Sequence, residues 1–581
     1  MSKIICVIGA GASGLTAIKQ CVEEGFNVIC YERTDDLGGL WRYREDVTNG
    51  SASTAKTTTL NTSKEMSAFS DFPPDKHAPN YMNNRKMCHY LETYADRFDL
   101  RKYIRFNHEV ISVVYNDDYE ESGKWKVTTV NRQQHNTHEQ VFDGVLVCIG
   151  HQMKPIFPIF PGQQKFKGKI MHSHEYKTWE GFEDKNVVIV GIGASGGDIA
   201  TELSRVANDV YVSTRSGTWV IRRVWRHGMP LDVQMVRRIV NYVMSILPVS
   251  ISNNILEFIL NSYFNHYLYG LNPKHRVLST HPTINDVIAN CIISGTVLMR
   301  QNIKEFTENG VIFEGSEEET ECDIVVFATG YEISFPFLDA SIVSVVQNKI
   351  EMFKNVFLPK LKHPHTLGFI CLVQANGPVF PISEMQARWF AKLMSGKVKL
   401  PSKEKMLKSI EDETKARKAR FYDSPRNTLE INFIDYMDEI ASFIGVKPNL
   451  WKLMVADPSL WYALVFGPSL PYQYRLKGPN KWSGARDAIL GEIKTAKIVI
   501  VAANMSKVIC VIGAGASGLT ATKQCLDEGF SVTCYEKTDD LGGLWRYREG
   551  VINGVSSVAK TTILNTSKEV SAFSDFPPDK H

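Results

Sequence analysis

Two six-residue segments hold the residue types that phosphate chemistry requires. Gly9-Ala-Gly-Ala-Ser-Gly14 and Gly191-Ile-Gly-Ala-Ser-Gly196 both fit G-x-G-x-x-G, each between an apolar run and a helix-like stretch. In such a turn the first glycine (Gly9, Gly191) permits the tight bend, and the second (Gly11, Gly193) lets a pyrophosphate reach the backbone. The third (Gly14, Gly196) lets helix and strand pack closely. The helix that begins inside the turn adds free N–H groups and a positive dipole end for the phosphates. Glu32 stands 21 residues after Gly11, where an acid can hydrogen-bond a ribose 2′-hydroxyl. Arg215 stands 22 residues after Gly193, where a planar guanidinium suits a 2′-phosphate, with Arg222 and Arg223 as alternative phosphate partners. The second site therefore reads as NADP-binding. Two dinucleotide sites in one chain imply that NADPH passes electrons to a second, tightly held dinucleotide, most simply FAD. Eleven scattered cysteines include no C-x-x-C pair. That removes the flavin disulfide reductases and any zinc site, and it fits reduced thiols facing the cytosol.

The elements that must position these residues repeat in order. Strand, glycine turn, helix and strand are predicted over 4–8, 9–14, 15–24 and 28–32, and again over 187–190, 191–196, 197–206 and 210–215. Far downstream of each lies an apolar strand with Asp before and Gly after it: Asp143 to Gly150 and Asp323 to Gly330. Strands alternating with helices at this spacing imply parallel sheets. The fold class is therefore α/β, with two Rossmann-like dinucleotide-binding domains, a mainly helical insertion and a partial C-terminal βαβ repeat. The expected division is FAD domain 1–154 and 336–445, NADP domain 155–224 and 301–335, insertion 225–300 and a C-terminal segment 446–504. Residues 86–98 carry Met87, Tyr90, Leu91, Tyr94 and Phe98 at helical spacing, the pattern of a buried face.

At 581 residues the chain is long enough for two or three domains, and 44% hydrophobic with 22% charged residues is ordinary globular composition. A net charge of +3 with no long basic run gives no reason to expect nucleic acid. The N-terminus lacks the pattern of a secretory signal, and no run of about 20 apolar residues, the length of a spanning helix, occurs. Residues 239–256 are uncharged but contain Pro248, Asn253 and Asn254, which suits a membrane interface better than a span.

Residues 505–581 align without gaps to residues 1–77, and 63 of the 77 positions are identical. This truncated duplicate carries the glycine turn and Glu536 but nothing equivalent to 78–150. A βαβ piece alone leaves a sheet edge and apolar surface uncovered. The expectation is therefore no second FAD, with two readings open for the tail: a functional extension, or a read-through fusion that leaves a non-catalytic product.

Phe166-x-Gly168-x-x-x-His172-x-x-x-Tyr176 resembles the signature of the flavin-containing monooxygenases. So do Leu37-Gly-Gly-Leu-Trp41, Asn61-Thr-Ser-Lys64, Phe69-Ser-Asp-Phe-Pro73, Phe327-Ala-Thr-Gly-Tyr331, Pro381-Ile-Ser-Glu-Met-Gln386 and residues 460–488. The resemblance extends almost continuously over residues 1 to about 495, the insertion included. It implies FAD contacts from Gly9, Ala10, Gly11, Ala12, Ser13, Glu32, Leu40, Trp41, Asn61 and Thr62, and NADP contacts from Leu60, Asn61, Ser195, Gly196, Gly197 and Asp198. It gives Asn61 a catalytic role, holding the oxygenated flavin, although an Asn before Thr-Ser is also an ordinary helix cap. His172 reads as structural or as a domain hinge, and Met66, Phe69 and Phe72 as core or cofactor packing.

The implied activity is NADPH- and O2-dependent oxygenation of soft nucleophiles, nitrogen- or sulfur-containing xenobiotics, through a flavin C4a-hydroperoxide shielded from water. Baeyer–Villiger oxidation of a ketone and uncoupled NADPH oxidation are the alternative outcomes. The implied location is the cytosolic face of the endoplasmic reticulum, with peripheral membrane contact; the family's usual C-terminal anchor is missing, since only 498–503 is apolar before the second Met, so a cytosolic location is the alternative. Oligomeric state stays open.

Overall fold

Ile4–Ile8 is a strand with every second side chain in a different core. Ile5 and Val7 pack on one face with helix Ala12–Glu23 and helix Phe380–Met394, while Cys6 and Ile8 pack on the other with Val145, Val147 and Trp125. Asn186–Val190 repeats the arrangement: Val187 and Ile189 face one core, Val188 and Val190 another. A run apolar at every position, buried on both faces, is what a parallel sheet demands. The computed structural model that shows this describes residues 2–46, 50–422, 424–495, 509–527, 532–538 and 540–545.

Two five-stranded sheets result, parallel throughout. The first runs Leu367–Phe369, Gly144–Val147, Ile4–Ile8, Asn27–Tyr31, Ile104–Arg105. The second runs Lys169–His172, Ile324–Phe327, Asn186–Val190, Asp209–Ser213, Leu298–Arg300. In both, a three-stranded antiparallel meander, 108–142 or 303–321, delivers the chain to the strand beside the glycine strand. The aspartate before that strand clamps the pair. Asp143 accepts from the Ile4 N–H and Asp323 from the Asn186 N–H, both at 2.8 Å.

The glycine turns follow from sterics. Gly9 (φ +96°) and Gly191 (φ +104°) occupy backbone conformations that side chains disfavour. A Cβ on Gly14 would lie 1.8 Å from the Gly9 carbonyl oxygen, and one on Gly196 2.0 Å from that of Gly191. The third glycine thus lets helix and turn touch.

The helix expected over 86–98 spans Asn84–Arg97 and buries Met87, Tyr90, Leu91 and Tyr94. The region 225–300 contains helices Leu231–Met235, Arg238–Ile246, Val249–Asn261 and Ile288–Ile293. Its last residues, Leu298–Arg300, form an edge strand of the second sheet, so the chain rejoins that sheet slightly before residue 301. All the cysteines are free thiols. Among the described residues no helix is long and apolar enough to cross a membrane.

Chain contacts separate two units, Met1–Ala496 and Lys497–His581. Taken by itself, the second contains strand Ile509–Ile512 parallel to Val532–Tyr535 with helix Ala516–Asp527 between them. Its Glu536 accepts from the N–H groups of Ala514 (2.6 Å) and Thr538 (2.9 Å), as Glu32 does from Ala10 (2.7 Å) and Thr34 (2.9 Å). Burial is not reproduced. Ile8, Tyr31 and Leu37 are 5%, 2% and 0% exposed, whereas the matching Ile512, Tyr535 and Leu541 are 85%, 63% and 55% exposed. The duplicate of Asn61, Asn565, lies outside the described residues.

Candidate functional site

Each glycine helix begins without a side-chain cap. Gly11 is the N-cap of Ala12–Glu23 and Gly193 that of Ala194–Leu203. Some other helices are closed by a side chain, Asn83, Ser402, Asn432, Asn449 or Asp457. First-turn N–H groups have no intrahelical acceptor, and at the two glycine turns no side chain takes them, which leaves them open to an external anion. Around the first, the Gly38 N–H donates to the Ala10 carbonyl, and Gly39 faces Gly11 so closely that a Cβ on Gly39 would lie 3.0 Å from the Gly11 Cα. Backbone lines both sides of the turn. A dinucleotide pyrophosphate fits such a cradle. Leu40 and Trp41 follow in a short 3-10 turn, with the Trp41 ring edge-on to Phe380 at 5.9 Å.

Glu32 is buried and its carboxylate already accepts three bonds: from the Ala10 N–H and from the N–H and Oγ1 of Thr34 (2.7, 2.9 and 2.7 Å). It ties the turn to the end of the second strand and keeps lone pairs for a ribose hydroxyl. At the matching place in the second sheet, Arg215 is exposed and makes no hydrogen bond or ion pair to any described residue. Ser195 is exposed on the first turn of its helix. Gly196 and Gly197 are buried, and a Cβ on Gly197 would lie 3.3 Å from Thr283. The absence of a side chain there lets Thr283 and Asn285 of the insertion pack against the helix. Asp198 accepts from the Asn285 amide at 3.1 Å, and burial pushes its carboxyl up to about 6.

Asn61 sits in a segment that crosses between the two halves. Ala55 packs against the core of the second sheet, and Leu60 is buried in the core of the first. Leu60 therefore has no free side-chain surface; its N–H donates to the Met82 carbonyl. Between them Thr57 donates to Glu202 at 2.8 Å. The turn itself is held from outside. The Ser63 N–H and hydroxyl donate to Asp232 (2.7 and 3.1 Å), an insertion residue whose carboxyl burial pushes up to about 6. Thr62 and Ser67 share a hydroxyl–hydroxyl bond of 2.7 Å. No helix starts at Asn61. Its amide oxygen accepts from Arg223 Nη2 at 2.7 Å, so capping is not its role here.

Arg223 differs from Arg215. Its guanidinium also donates to Asp286 at 3.0 Å and lies 3.8 Å from Asp198. Arg222 instead lies over the Tyr263 ring at 5.4 Å, lining a cavity of about 520 Å³ with Trp225, Arg226, His227 and Asp286. Thr283, Asn285, Asp286 and Asp232 escape sequence reasoning because they lie in the insertion, with no local pattern linking them to a glycine turn. Glu384 and Gln386 belong to a motif already noted, without a role. Glu384 accepts from the Ser70 N–H and hydroxyl and from Arg475, all at 2.6 Å, which anchors the far end of the Asn61 segment. Gln386 accepts from the Cys371 N–H at 2.6 Å. Phe69 packs against Tyr94 and Phe380, so it serves that same anchor. His172 is fully buried, its Nδ1 accepting from the His174 N–H, and burial lowers it to about 4. An imidazole enclosed at a strand end and hydrogen-bonded to the backbone two residues on suits a structural role.

A family model described as flavin-binding monooxygenase-like matches residues 2–505 and again residues 506–581. Flavin-containing monooxygenase 5 of Rattus norvegicus is 48% identical over 492 residues, 84% of this chain and 91% of the relative. Dimethylaniline monooxygenase (N-oxide-forming) 2 of Oryctolagus cuniculus is 44% identical over 493 residues, again 84% and 91%. Among solved structures, S-allyl-L-cysteine S-oxygenase from Allium sativum superposes with a TM-score of 0.59 at 24% identity, covering 85% of this chain and 98% of that one. A steroid monooxygenase bound to NADP gives 0.57 at 18% identity, with 76% and 97% covered. At such identities the superpositions speak for the fold alone.

Proposed function

The chain belongs to the flavin-binding monooxygenase-like family, and from that premise we propose that Asn61 is the residue its oxygen-transfer chemistry depends on, with nitrogen- and sulfur-containing small molecules as substrates. It is an FAD- and NADPH-dependent monooxygenase that consumes O2. A flavin held by the chain would supply hydride acceptance from the nicotinamide and the activation of oxygen.

The protein's own work is binding, orientation and exclusion of water. The cradle of Gly9, Ala10, Gly11, Ala12, Ser13 and Gly14, with Glu32, Leu40, Trp41 and Thr62 around it, is assigned to FAD. The turn of Gly191, Gly193, Ser195 and Gly196, with Asp198 at its helix and Arg215 at the strand end, is assigned to NADPH. One observation carries the reading: the Asn61 turn is anchored in the core of one dinucleotide unit and hydrogen-bonded to Arg223, whose guanidinium lies 3.8 Å from Asp198 on the glycine helix of the other. An amide fixed there can donate to an oxygen species between the two cofactors. Activation of the substrate needs no acid–base pair, and the neutral His172 fits that economy.

The test is stoichiometric. Denaturation should release one FAD per chain, because the exposed apolar face of the tail's strand pair argues against a second site. With an amine or thioether, product should match NADPH consumed. Faster conversion of a ketone to an ester would replace the substrate class, and two flavins per chain would overturn the account of the tail.

Membrane contact is assigned to the insertion. Helix Arg238–Ile246 packs on helix Pro458–Phe466, around which Tyr242, Ile246, Trp451, Val455 and Tyr462 are exposed, and Phe258 is exposed on insertion helix Val249–Asn261. Exposed aromatic and aliphatic side chains on short helices suit insertion into the headgroup region, and support attachment to the cytosolic face of the endoplasmic reticulum. Phe258→Ser combined with Trp451→Ser should lower binding to phosphatidylcholine vesicles about 100-fold or more, since each side chain is worth roughly 1.5–3 kcal/mol when buried. Unchanged flotation with vesicles would remove the assignment.

A further inference from the structure

A carboxamide presents two nearly isosteric ends, one accepting and one donating, and only orientation decides which end meets oxygen. At Asn61 that decision is made by a single neighbour. Arg223 has no acceptor to offer, so only the amide oxygen can face Nη2 at 2.7 Å, and the NH2 group must point the other way. A flipped amide would oppose two donors and lose a charge-assisted bond, a bias of about 10- to 100-fold towards the observed orientation.

Arg223 is itself held at several points. Its N–H donates to Asp286 at 2.8 Å, and its guanidinium donates to the same carboxylate at 3.0 Å. Its carbonyl accepts from the Leu231 N–H at 2.8 Å and from the Tyr81 hydroxyl. The side chain is 11% exposed, and a rotamer change would break bonds at three residues. Nη2 also lies 3.8 Å from Asp198, on the second turn of the second glycine helix.

We infer that Arg223 is a positioning residue for oxygen transfer: it fixes the Asn61 amide with its NH2 towards the reacting oxygen, and links that orientation to the NADP turn through Asp198 and Asp286. This rests on the catalytic reading of Asn61. It also separates Arg223 from the phosphate partners: a guanidinium committed to Asn61 and Asp286 leaves the 2′-phosphate to other cations.

The test is a double-mutant cycle in the full chain with FAD bound. Arg223→Met should raise H2O2 released per NADPH about tenfold and shorten the absorbance transient seen when oxygen is mixed with the NADPH-reduced enzyme. NADP+ affinity by calorimetry should change less than about threefold, and Arg223→Lys, which keeps one donor, should fall between wild type and Met. In an Asn61→Ala background, Arg223→Met should add nothing. If Met loses FAD, the Lys variant carries the test through the same readouts. Further uncoupling in the Asn61→Ala background, or an NADP+ affinity loss of tenfold with coupling intact, would overturn the inference. If Asn61→Ala alone leaves coupling unchanged, the reading of Asn61 fails first; if it uncouples and Arg223→Met does not, only the role of Arg223 fails.

Discussion

Asn61→Ala should leave FAD bound and NADPH oxidation running, while product per NADPH falls about 10- to 100-fold and H2O2 rises to match. The size follows from removing one donor aimed at developing negative charge, which in other enzymes lowers turnover by roughly 10²–10³. The discount reflects a partly exposed turn, where water replaces part of the lost bond. FAD retention follows from geometry: the pyrophosphate cradle is built by backbone at residues 9–14 and 38–39, which Asn61 does not support. Stability should change little, because Arg223 keeps Asp286 at 3.0 Å as its main partner. Asn61→Asp sharpens the experiment. It preserves an acceptor for Arg223 and replaces the donor NH2 by a carboxylate oxygen, so it should uncouple as strongly as Ala. Full coupling in the Asp variant would mean that oxygen is not held by a donor at this position.

The sequence disclosed what local chemistry dictates and missed what distant packing decides. The glycine turns, their strands and the aspartates at 143 and 323 were legible because each obeys a short-range rule: positive φ, contact between turn and helix, period-two burial. The Asp143–Ile4 and Asp323–Asn186 bonds supply the reason for an aspartate before each return strand. The partners of Asn61 were not legible. Arg223 lies 162 positions from it and Asp232 lies 169 positions from Ser63, and nothing in either neighbourhood announces the pairing. Leu60 and Gly197 show a different limit. Both fall inside motifs that point to a ligand, yet the Leu60 side chain is buried in the first core and Gly197 lies against Thr283, which leaves backbone atoms for any contact they make. A motif marks a region and does not say which of its side chains faces the ligand. The tail carries the same caution. Its glycine turn and Glu536 reproduce the local bonds of the first copy, while Ile512 and Tyr535 lack the surfaces that cover Ile8 and Tyr31.

Arg215→Ala should weaken NADPH about 10- to 100-fold and NADH less than about threefold, measured as equilibrium affinity. A charge-assisted bond to phosphate contributes about 1.5–3 kcal/mol, and an exposed site belongs at the lower end of that range. The pairing of positions makes the argument. Glu32 ends the second strand of the first sheet with its carboxylate folded back onto Ala10 and Thr34, while Arg215 follows the matching strand, Asp209–Ser213, with its guanidinium unpaired among the described residues. A long cation at a strand end, without a partner among the described residues, has its binding capacity still open. The alternatives are unequal. Arg223 is committed to Asn61 and Asp286, whereas Arg222 only overlies Tyr263 and could turn towards a phosphate. Equal losses for both coenzymes in Arg215→Ala would therefore move the assignment to Arg222. The charge-reversed Arg215→Glu supplies the converse: it places at the second site the acid that Glu32 provides at the first, and should favour NADH over NADPH by repelling the 2′-phosphate. Retention of NADPH preference in that variant would exclude Arg215 altogether, because no phosphate partner tolerates reversal of its own charge.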